Sequence, residues 1–193
     1  MPLEKIEAPY VCNQLPRLQQ GDLLRDITIS EVSNVSDENV EIKQRSLPYC
    51  IVLSQDCDLE HDFSSLRAQG DDKDDKSLPA LLLCPAYRAE LLRLGQHLLA
   101  QNKTMRHIGH DDWGKLKTNQ MYRYHYLEAW DNLQVPDLVV DFKHYFTVPR
   151  TLLYLEKYRS CYLVTLEILY REHLSSRFAH YLSRIGLPDL TAP

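Results

Sequence analysis

A thiol flanked by two carboxyls stands where a predicted core strand ends. Cys57 lies between Asp56 and Asp58, and His61 follows four residues after the thiol. A Cys–His pair can form a nucleophile, because an imidazolium favours the reactive thiolate, although neighbouring carboxylates oppose it. Cys57 and His61 are also zinc-ligand types, so a zinc-binding protein is an alternative. We favour a third interpretation, a buried Cys beside an Asp that caps a helical turn.

A second group of residues is suited to nucleic acid. Residues 103–118 are polar and locally basic, and a Tyr-rich segment follows them. Cations would contact phosphates, and aromatic rings would stack on bases. The residues predicted to bind nucleic acid are Arg106, His107, Lys115, Lys117, Tyr122 and Tyr124. A solvated loop has the same composition, so the sequence leaves both interpretations open.

The length, the net charge and the cysteine content limit the classes of protein to which the chain could belong. The chain has 193 residues, of which 25% are charged, and a formal net charge of −5, so any nucleic-acid binding requires a local basic patch. Its length predicts a single domain over residues 1–193. The five widely spaced cysteines, with no secretory leader and no apolar run long enough to cross a membrane, predict a cytoplasmic protein with reduced thiols.

Core strands must position these candidate residues. Apolar runs predict strands over residues 22–32, 47–55 and 78–85, with a short strand near 40–43. A leucine stripe predicts a helix over residues 87–102. An acidic, solvated loop at residues 64–77 separates the second and third core strands.

The remaining segments continue an α+β pattern. Residues 1–19 form an N-terminal arm, and alternating Tyr residues predict a strand within 119–128. Shorter strands are predicted at 137–142 and 145–148. Residues 160–186 are predicted to hold a strand and the long C-terminal helix.

The order of four short motifs carries a resemblance to a known family. Gln20-Gly21-Asp22 precedes a strand, Ile51-Val52-Leu53-Ser54-Gln55-Asp56 ends the next, Leu83-Cys84-Pro85 ends the third, and Val139-Val140-Asp141-Phe142 follows later. This arrangement resembles the MazF/PemK-like family of small bacterial toxins across residues 20–154. The resemblance implies an SH3-like, mostly antiparallel β-barrel over residues 20–155, here with a helical insertion and a C-terminal helix. Cys57-Asp58-Leu59 is not a feature of the toxins.

The resemblance also implies a function. Members usually cleave single-stranded RNA without a metal, so it implies RNA binding or metal-independent endoribonuclease activity, without a cofactor, in toxin–antitoxin or phage-defence biology. In the toxins an Arg, and a Ser or Thr after the Pro strand, carry cleavage. Here Ala86 follows Pro85, and Arg25 and Arg45 are the candidates for the Arg.

The predicted catalytic residues are Arg25, Asp58 and His61. Asp58 or His61 would take the proton of the RNA 2′-hydroxyl, and Arg25 would stabilise the charge of the phosphorane.

A rival hypothesis keeps the fold without catalysis. The acidic net charge, Ala86 and the added helices favour a protein-interaction module. Its partner would be an antitoxin or a subunit of a defence complex, and the chain could also form a homodimer.

Overall fold

One antiparallel sheet organises the protein in a computed structural model that describes residues 8–36, 39–67 and 74–184. The strands are β1 (Tyr10–Val11), β2 (Asp22–Val35), β3 (Val40–Val52), β4 (Ala80–Arg88), β5 (Tyr124–Leu127), β6 (Leu138–Asp141), β7 (Phe146–Pro149) and β8 (Tyr162–Leu166). The helices are α1 (Asp56–Arg67), α2 (Ala89–Arg93), α3 (His110–Lys117), α4 (Arg150–Leu153), α5 (Glu156–Arg159) and α6 (Ile168–Leu182). Short 3₁₀ turns lie at Asp74–Lys76, Leu99–Gln101, Asp131–Leu133 and Phe142–His144.

The sheet curls into half of a barrel. Its strand order is β1–β8–β2–β3–β4–β6–β5, and β7 pairs with the first half of β4. All of these pairings are antiparallel. The predicted α+β class with a mostly antiparallel sheet is therefore confirmed. Within the described ranges, no helix has both the length and the apolar character needed to cross a membrane.

Both faces of the central strands are buried, which explains their nearly continuous apolar runs. Leu23, Ile51 and Cys84 face the core beneath α6, which contributes Leu174 and Phe178. Their chain neighbours face the opposite core, beneath α1, α4 and α5. A third, smaller core forms where α2 and α3 pack against β4 and β6.

The hairpin of β2 and β3 is longer than the sequence predicted. The two predicted strands at 40–43 and 47–55 form one strand, β3, which pairs with β2 as far as Val35 and Val40. Polar residues interrupt the apolar pattern there because the outer half of the hairpin is solvated on both faces. Polarity at such positions does not end a strand.

The two edges of the sheet approach each other without pairing. Tyr10 lies on β1, and Glu128 directly follows β5. The Tyr10 hydroxyl donates to the Glu128 carbonyl at 2.7 Å. Side chains form hydrogen bonds with backbone groups at the β5 edge. Asn119 accepts from the N–H of Tyr126 and donates to its carbonyl, and Arg177 donates to the carbonyl of Tyr124. We call the gap between β1 and β5 the seam.

The Gly21-Asp22 turn ties the arm to β3 and β8. Gly21 has φ of 84° and donates its N–H to the carbonyl of Val52. The buried carboxyl of Asp22 accepts from the Gln19 N–H at 2.8 Å and from the Thr165 hydroxyl, on β8, at 2.6 Å. This motif is therefore a structural junction.

The predicted helix at residues 87–102 is wrong in extent. β4 continues to Arg88, and α2 spans only Ala89–Arg93. Gly95 then takes a φ of 74°, which ends the helix, and the chain reverses so that the Met105 N–H bonds the Gly95 carbonyl. The leucine stripe fills a small core from a turn instead of from a long helix.

Two other predicted segments differ from the structure. Residues 103–118 were predicted to be a polar loop, but 110–117 form α3, whose Leu116 is buried.

The acidic segment 64–77 begins with the end of α1, and its residues 68–73 lie outside the described residues. The predicted strand and helix of residues 160–186 are present as β8 and α6, and residues 185 and 186 also lie outside the described residues.

Candidate functional site

The structure does not bring the three predicted catalytic residues together. Arg25 is exposed on β2, where its backbone N–H bonds the carbonyl of Cys161. Asp58 and His61 are exposed on α1. In the described part of the chain, no hydrogen bond or ion pair joins any two of them. Their catalytic role stays a prediction, now without a shared geometry to support it.

Cys57 is exposed, so its interpretation as a buried core residue is wrong. It lies in the first turn of α1, and its sulfur is 3.8 Å from Oε1 of Gln55 and from Oδ1 of Asp58. Among the residues that the structure describes, no three His, Cys, Asp or Glu side chains form a group that could hold a metal ion. Cys57 and His61 therefore lack a third ligand there.

Asp56, the other carboxyl beside Cys57, is a structural residue. Arg17 donates to its two oxygens at 2.9 and 3.1 Å, and the Gln20 N–H donates at 3.2 Å. The hydrogen bonds from Arg17 lower the pKa of Asp56. This pairing holds the N-terminal arm against the start of α1.

A polar cluster whose side chains could act on a substrate lies elsewhere, around the end of β6. Asp141 is fully buried and forms a bidentate pair with Arg123, at 2.8 and 2.6 Å. The Nδ1 atom of His144 is 3.3 Å from the same carboxylate. Burial is the main cause that lowers the pKa of His144. A neutral imidazole held by a buried carboxylate is the arrangement of a general base.

Tyr87 and Arg45 complete this polar cluster. The Tyr87 hydroxyl is 3.2 Å from Nδ1 of His144 and accepts from Arg45 at 3.3 Å. Arg45 is itself held by Glu31 at 2.6 Å. Burial raises the pKa of Tyr87, so the phenol keeps its proton at neutral pH. Arg45, Tyr87, Arg123, Asp141 and His144 are called the polar cluster below.

His97 lies against this cluster with unused hydrogen-bonding capacity. Its ring is 4.7 Å from that of Tyr87, and neither of its ring nitrogens has a hydrogen-bond partner among the described residues. Burial lowers its pKa to about 4, so the ring is neutral. Buried ring nitrogens with no partner are expected to bond water or a ligand.

An open cleft of about 720 Å³ lies on the same side of the sheet, between α2, α3 and β5. Its walls include two aromatic rings, Trp113 and Tyr126, which meet edge to face at 6.4 Å. The guanidinium of Arg93 lies 5.4 Å from the Trp113 ring, and the ammonium of Lys117 lies 5.9 Å from the Tyr126 ring. Aromatic rings beside cations are the groups that bind single-stranded nucleic acid. We call this cavity the aromatic cleft.

A bridging cavity of about 220 Å³ adjoins both the aromatic cleft and the polar cluster. It shares His107 with the cleft, and it shares Arg123 with the cluster. His97 and Arg106 also line it. The cluster, bridging cavity and cleft therefore adjoin one another, and together they are called the concave surface below.

The structure brings together part of the predicted nucleic-acid surface. His107 and Lys117 line the aromatic cleft, and Arg106, His107 and Tyr124 line the bridging cavity. Lys115 is exposed on α3 and pairs with Asp112 at 3.7 Å. Tyr122 instead contacts His180 on α6, with ring centres 4.9 Å apart.

Sequence reasoning missed most of the polar cluster. Of its five residues, only Arg45 is among the candidates for a functional residue in the sequence, as one of two for the Arg of the toxins. Asp141 is the last residue of the buried strand β6, and a polar residue in that position is the signal that would have found it. Nothing in the sequence indicates that Tyr87 and Arg123 meet there, because they lie on distant segments.

Comparison with known proteins identifies no relative: no protein-family model, curated protein or solved structure matches the chain.

Proposed function

We propose that this chain is a MazF/PemK-like barrel protein that binds single-stranded RNA and cleaves it without a metal. One observation carries the proposal: a buried carboxylate–imidazole pair and two arginines adjoin a cleft lined by aromatic rings and cations. A role in a toxin–antitoxin or phage-defence system belongs to the same proposal and rests on the sequence resemblance.

RNA would bind along the concave surface. Bases would stack on Trp113 and Tyr126, and Arg93 and Lys117 would contact the flanking phosphates. Arg106 and His107 line the path toward the cluster. This local surface provides positive charge that the net charge of −5 does not.

At the polar cluster, His144 would take the proton of the 2′-hydroxyl, whose oxygen attacks the adjacent phosphorus. Arg45 and Arg123 would stabilise the charge of the phosphorane. The 5′ oxygen would leave with a proton from water. His144 would then give the proton it took to the hydroxide that remains. The products are a 2′,3′-cyclic phosphate and a free 5′-hydroxyl.

Solvent access is consistent with this assignment. The side chains of His144 and Arg123 are 24% and 26% exposed, whereas that of Asp141 is not exposed at all. A substrate phosphate could therefore reach the imidazole and the guanidinium, while Asp141 orients both from beneath.

The decisive experiment is cleavage of single-stranded RNA in EDTA by the wild type and by His144→Ala. We expect the wild type to leave 2′,3′-cyclic phosphate ends and the variant to lose about 10²- to 10⁴-fold in rate, the usual contribution of a general base. Circular dichroism would confirm that the variant is folded.

The variants Arg25→Ala and His61→Ala test the site predicted from sequence. If His61→Ala abolishes cleavage and His144→Ala does not, the chemistry belongs to α1. If micromolar wild-type protein neither binds nor cuts RNAs of varied sequence, the proposed function is wrong.

A second candidate function, a non-catalytic interaction module, is favoured by the outer half of the β2–β3 hairpin. Val32 faces Ile42 and Val35 faces Val40 across the hairpin, and these four side chains are 57% to 69% exposed. Paired, exposed apolar side chains of this kind mark interaction surfaces.

We expect a second copy of the chain to cover this hairpin, so the wild type should be a dimer by light scattering at tens of micromolar. The double variant Val32→Thr/Ile42→Thr keeps the β-branched shape but not the apolar surface, and should be a monomer. Gln44→Thr, on the same hairpin, is the matched control. A wild type that is monomeric at these concentrations would remove this candidate dimer.

A further inference from the structure

The seam encloses a cavity that the proposed function does not use. Its volume is about 560 Å³, within the range of small-molecule sites. Tyr10 contributes the β1 wall, His125 and Tyr126 the β5 wall, and Tyr170 and His173 the roof from α6. The cavity therefore exists because the sheet curls without closing.

His125 is an unusual residue for such a wall. It is 3% exposed, and its Nδ1 atom has no hydrogen-bond partner among the residues described. Its ring lies between Phe142, at 6.2 Å, and His173, at 5.2 Å. An unpartnered polar atom on a buried edge strand normally destabilises a fold, which points to a ligand or water that completes its bonding.

The charges around the cavity define the chemistry of a ligand. Burial lowers the pKa of His125 to about 3, and burial also lowers the pKa of His173, so both rings are neutral at pH 7 and offer one donor and one acceptor each. The carboxyls of Glu128 and Asp137 line the cavity, whereas Lys117 is its only cation among the described lining residues. The part of the ligand inside must therefore be uncharged and polar, with any anionic group toward Lys117.

We infer that the seam cavity binds a nucleobase, with the attached phosphate directed toward Lys117. A base is flat enough to lie among the Tyr and His rings, and its edge supplies the donors and acceptors that a neutral imidazole needs. The cavity shares Lys117, Tyr126 and Asp137 with the aromatic cleft. The base could thus belong to RNA lying in that cleft or to a free nucleotide. The RNA source rests on the proposed function, whereas the free nucleotide does not.

NMR spectra of the protein labelled at leucine methyls and histidine rings test this inference directly. The Leu127 and Leu166 methyls line the seam cavity and report on it separately from the aromatic cleft. We expect nucleoside 5′-monophosphates or a short single-stranded RNA to shift these methyls and the His125 ring signals. Ribose 5-phosphate, which has no base, should not shift them.

The variant His125→Phe keeps a ring between Phe142 and His173 but removes both nitrogens. It should weaken the binding that shifts these methyls by at least tenfold. Tyr170→Ala, on the surface helix α6, gives a second test if His125→Phe does not fold. The matched control is His97→Phe, which removes an imidazole from the bridging cavity and should leave the Leu127 and Leu166 shifts unchanged.

The outcomes separate the two ligand sources. If nucleoside monophosphates shift the methyl signals, the cavity is a site for free nucleotides. If RNA shifts them and nucleoside monophosphates do not, the cavity holds a base of the RNA. The inference is overturned if neither ligand shifts the methyls, or if the shifts persist at the same affinity in both seam variants. Nucleotide binding in a protein that does not cleave RNA would leave this inference standing while the proposed function fails.

Discussion

At the scale of single residues, the buried ionisable groups fall into two classes. Asp141 pairs with Arg123 and Asp62 with Arg150, and such a guanidinium partner allows a buried carboxylate to stay charged inside a fold. Asp22 has none within hydrogen-bonding distance and accepts only from a hydroxyl and an N–H. Asp22 is therefore the buried carboxyl whose pKa we expect to change on folding without a cation to offset the change.

Burial raises the pKa of Asp22 to about 7, against the two hydrogen bonds that favour its charged form. Because the folded pKa lies above the unfolded value of about 3.9, this group's contribution is most favourable below pH 4. It is lost progressively as the pH rises to 7. Asp22→Asn should remove this slope, so that the difference in unfolding free energy between wild type and variant changes by a few kcal/mol over that range.

Denaturant unfolding at pH 4, 5, 6, 7 and 8 measures this difference. Burial lowers the pKa of His97 and His125, which gives the opposite slope, but both proteins share that slope and it cancels. Asp26→Asn, an exposed carboxyl of the same strand, controls for the change in net charge. A constant difference between wild type and Asp22→Asn at all five pH values would contradict the prediction.

At the scale of elements, the segment between α2 and α3 decides the shape of the concave surface. Gly95 turns the chain back so that the Ile108 N–H bonds the carbonyl of Arg93, which places Arg106 and His107 beside the aromatic cleft and the bridging cavity. A straight helix over the same residues would have carried them away from β5. The turn therefore builds the RNA path that we propose.

Gly95→Ala should destabilise the protein by about 2–4 kcal/mol, because a Cβ there would lie 2.0 Å from the carbonyl oxygen of Met105 and φ is 74°. Thermal or denaturant unfolding measures the change. Gly114→Ala is the matched control: nothing lies within 4 Å of its Cβ, and in α3 it should stabilise by roughly 0.5–1 kcal/mol. Equal stabilities of the two variants would show that the turn is not strained by a side chain.

At the scale of the whole molecule, the sequence predicted what depends on local pattern. The core strands, the α+β class and the C-terminal helix follow from apolar patterns along the chain, and the structure contains them. The helix at 87–102 failed because one positive-φ glycine outweighs a leucine stripe. The polar cluster could not be predicted, because Arg45, Tyr87 and Asp141 meet only when β3, β4 and β6 become neighbours in the sheet, and no local pattern records that order.

The pairing of β2 with β8 also governs how the chain acquires its structure during synthesis. Asp22 and Thr165 are 143 residues apart and lie side by side in the sheet. A nascent chain emerging from a ribosome exposes one flank of β2, and the apolar face later covered by α6, until residues 162–182 have emerged. Such distant pairing slows folding. The growing chain is therefore open to chaperones, and to aggregation through that flank, for most of its translation.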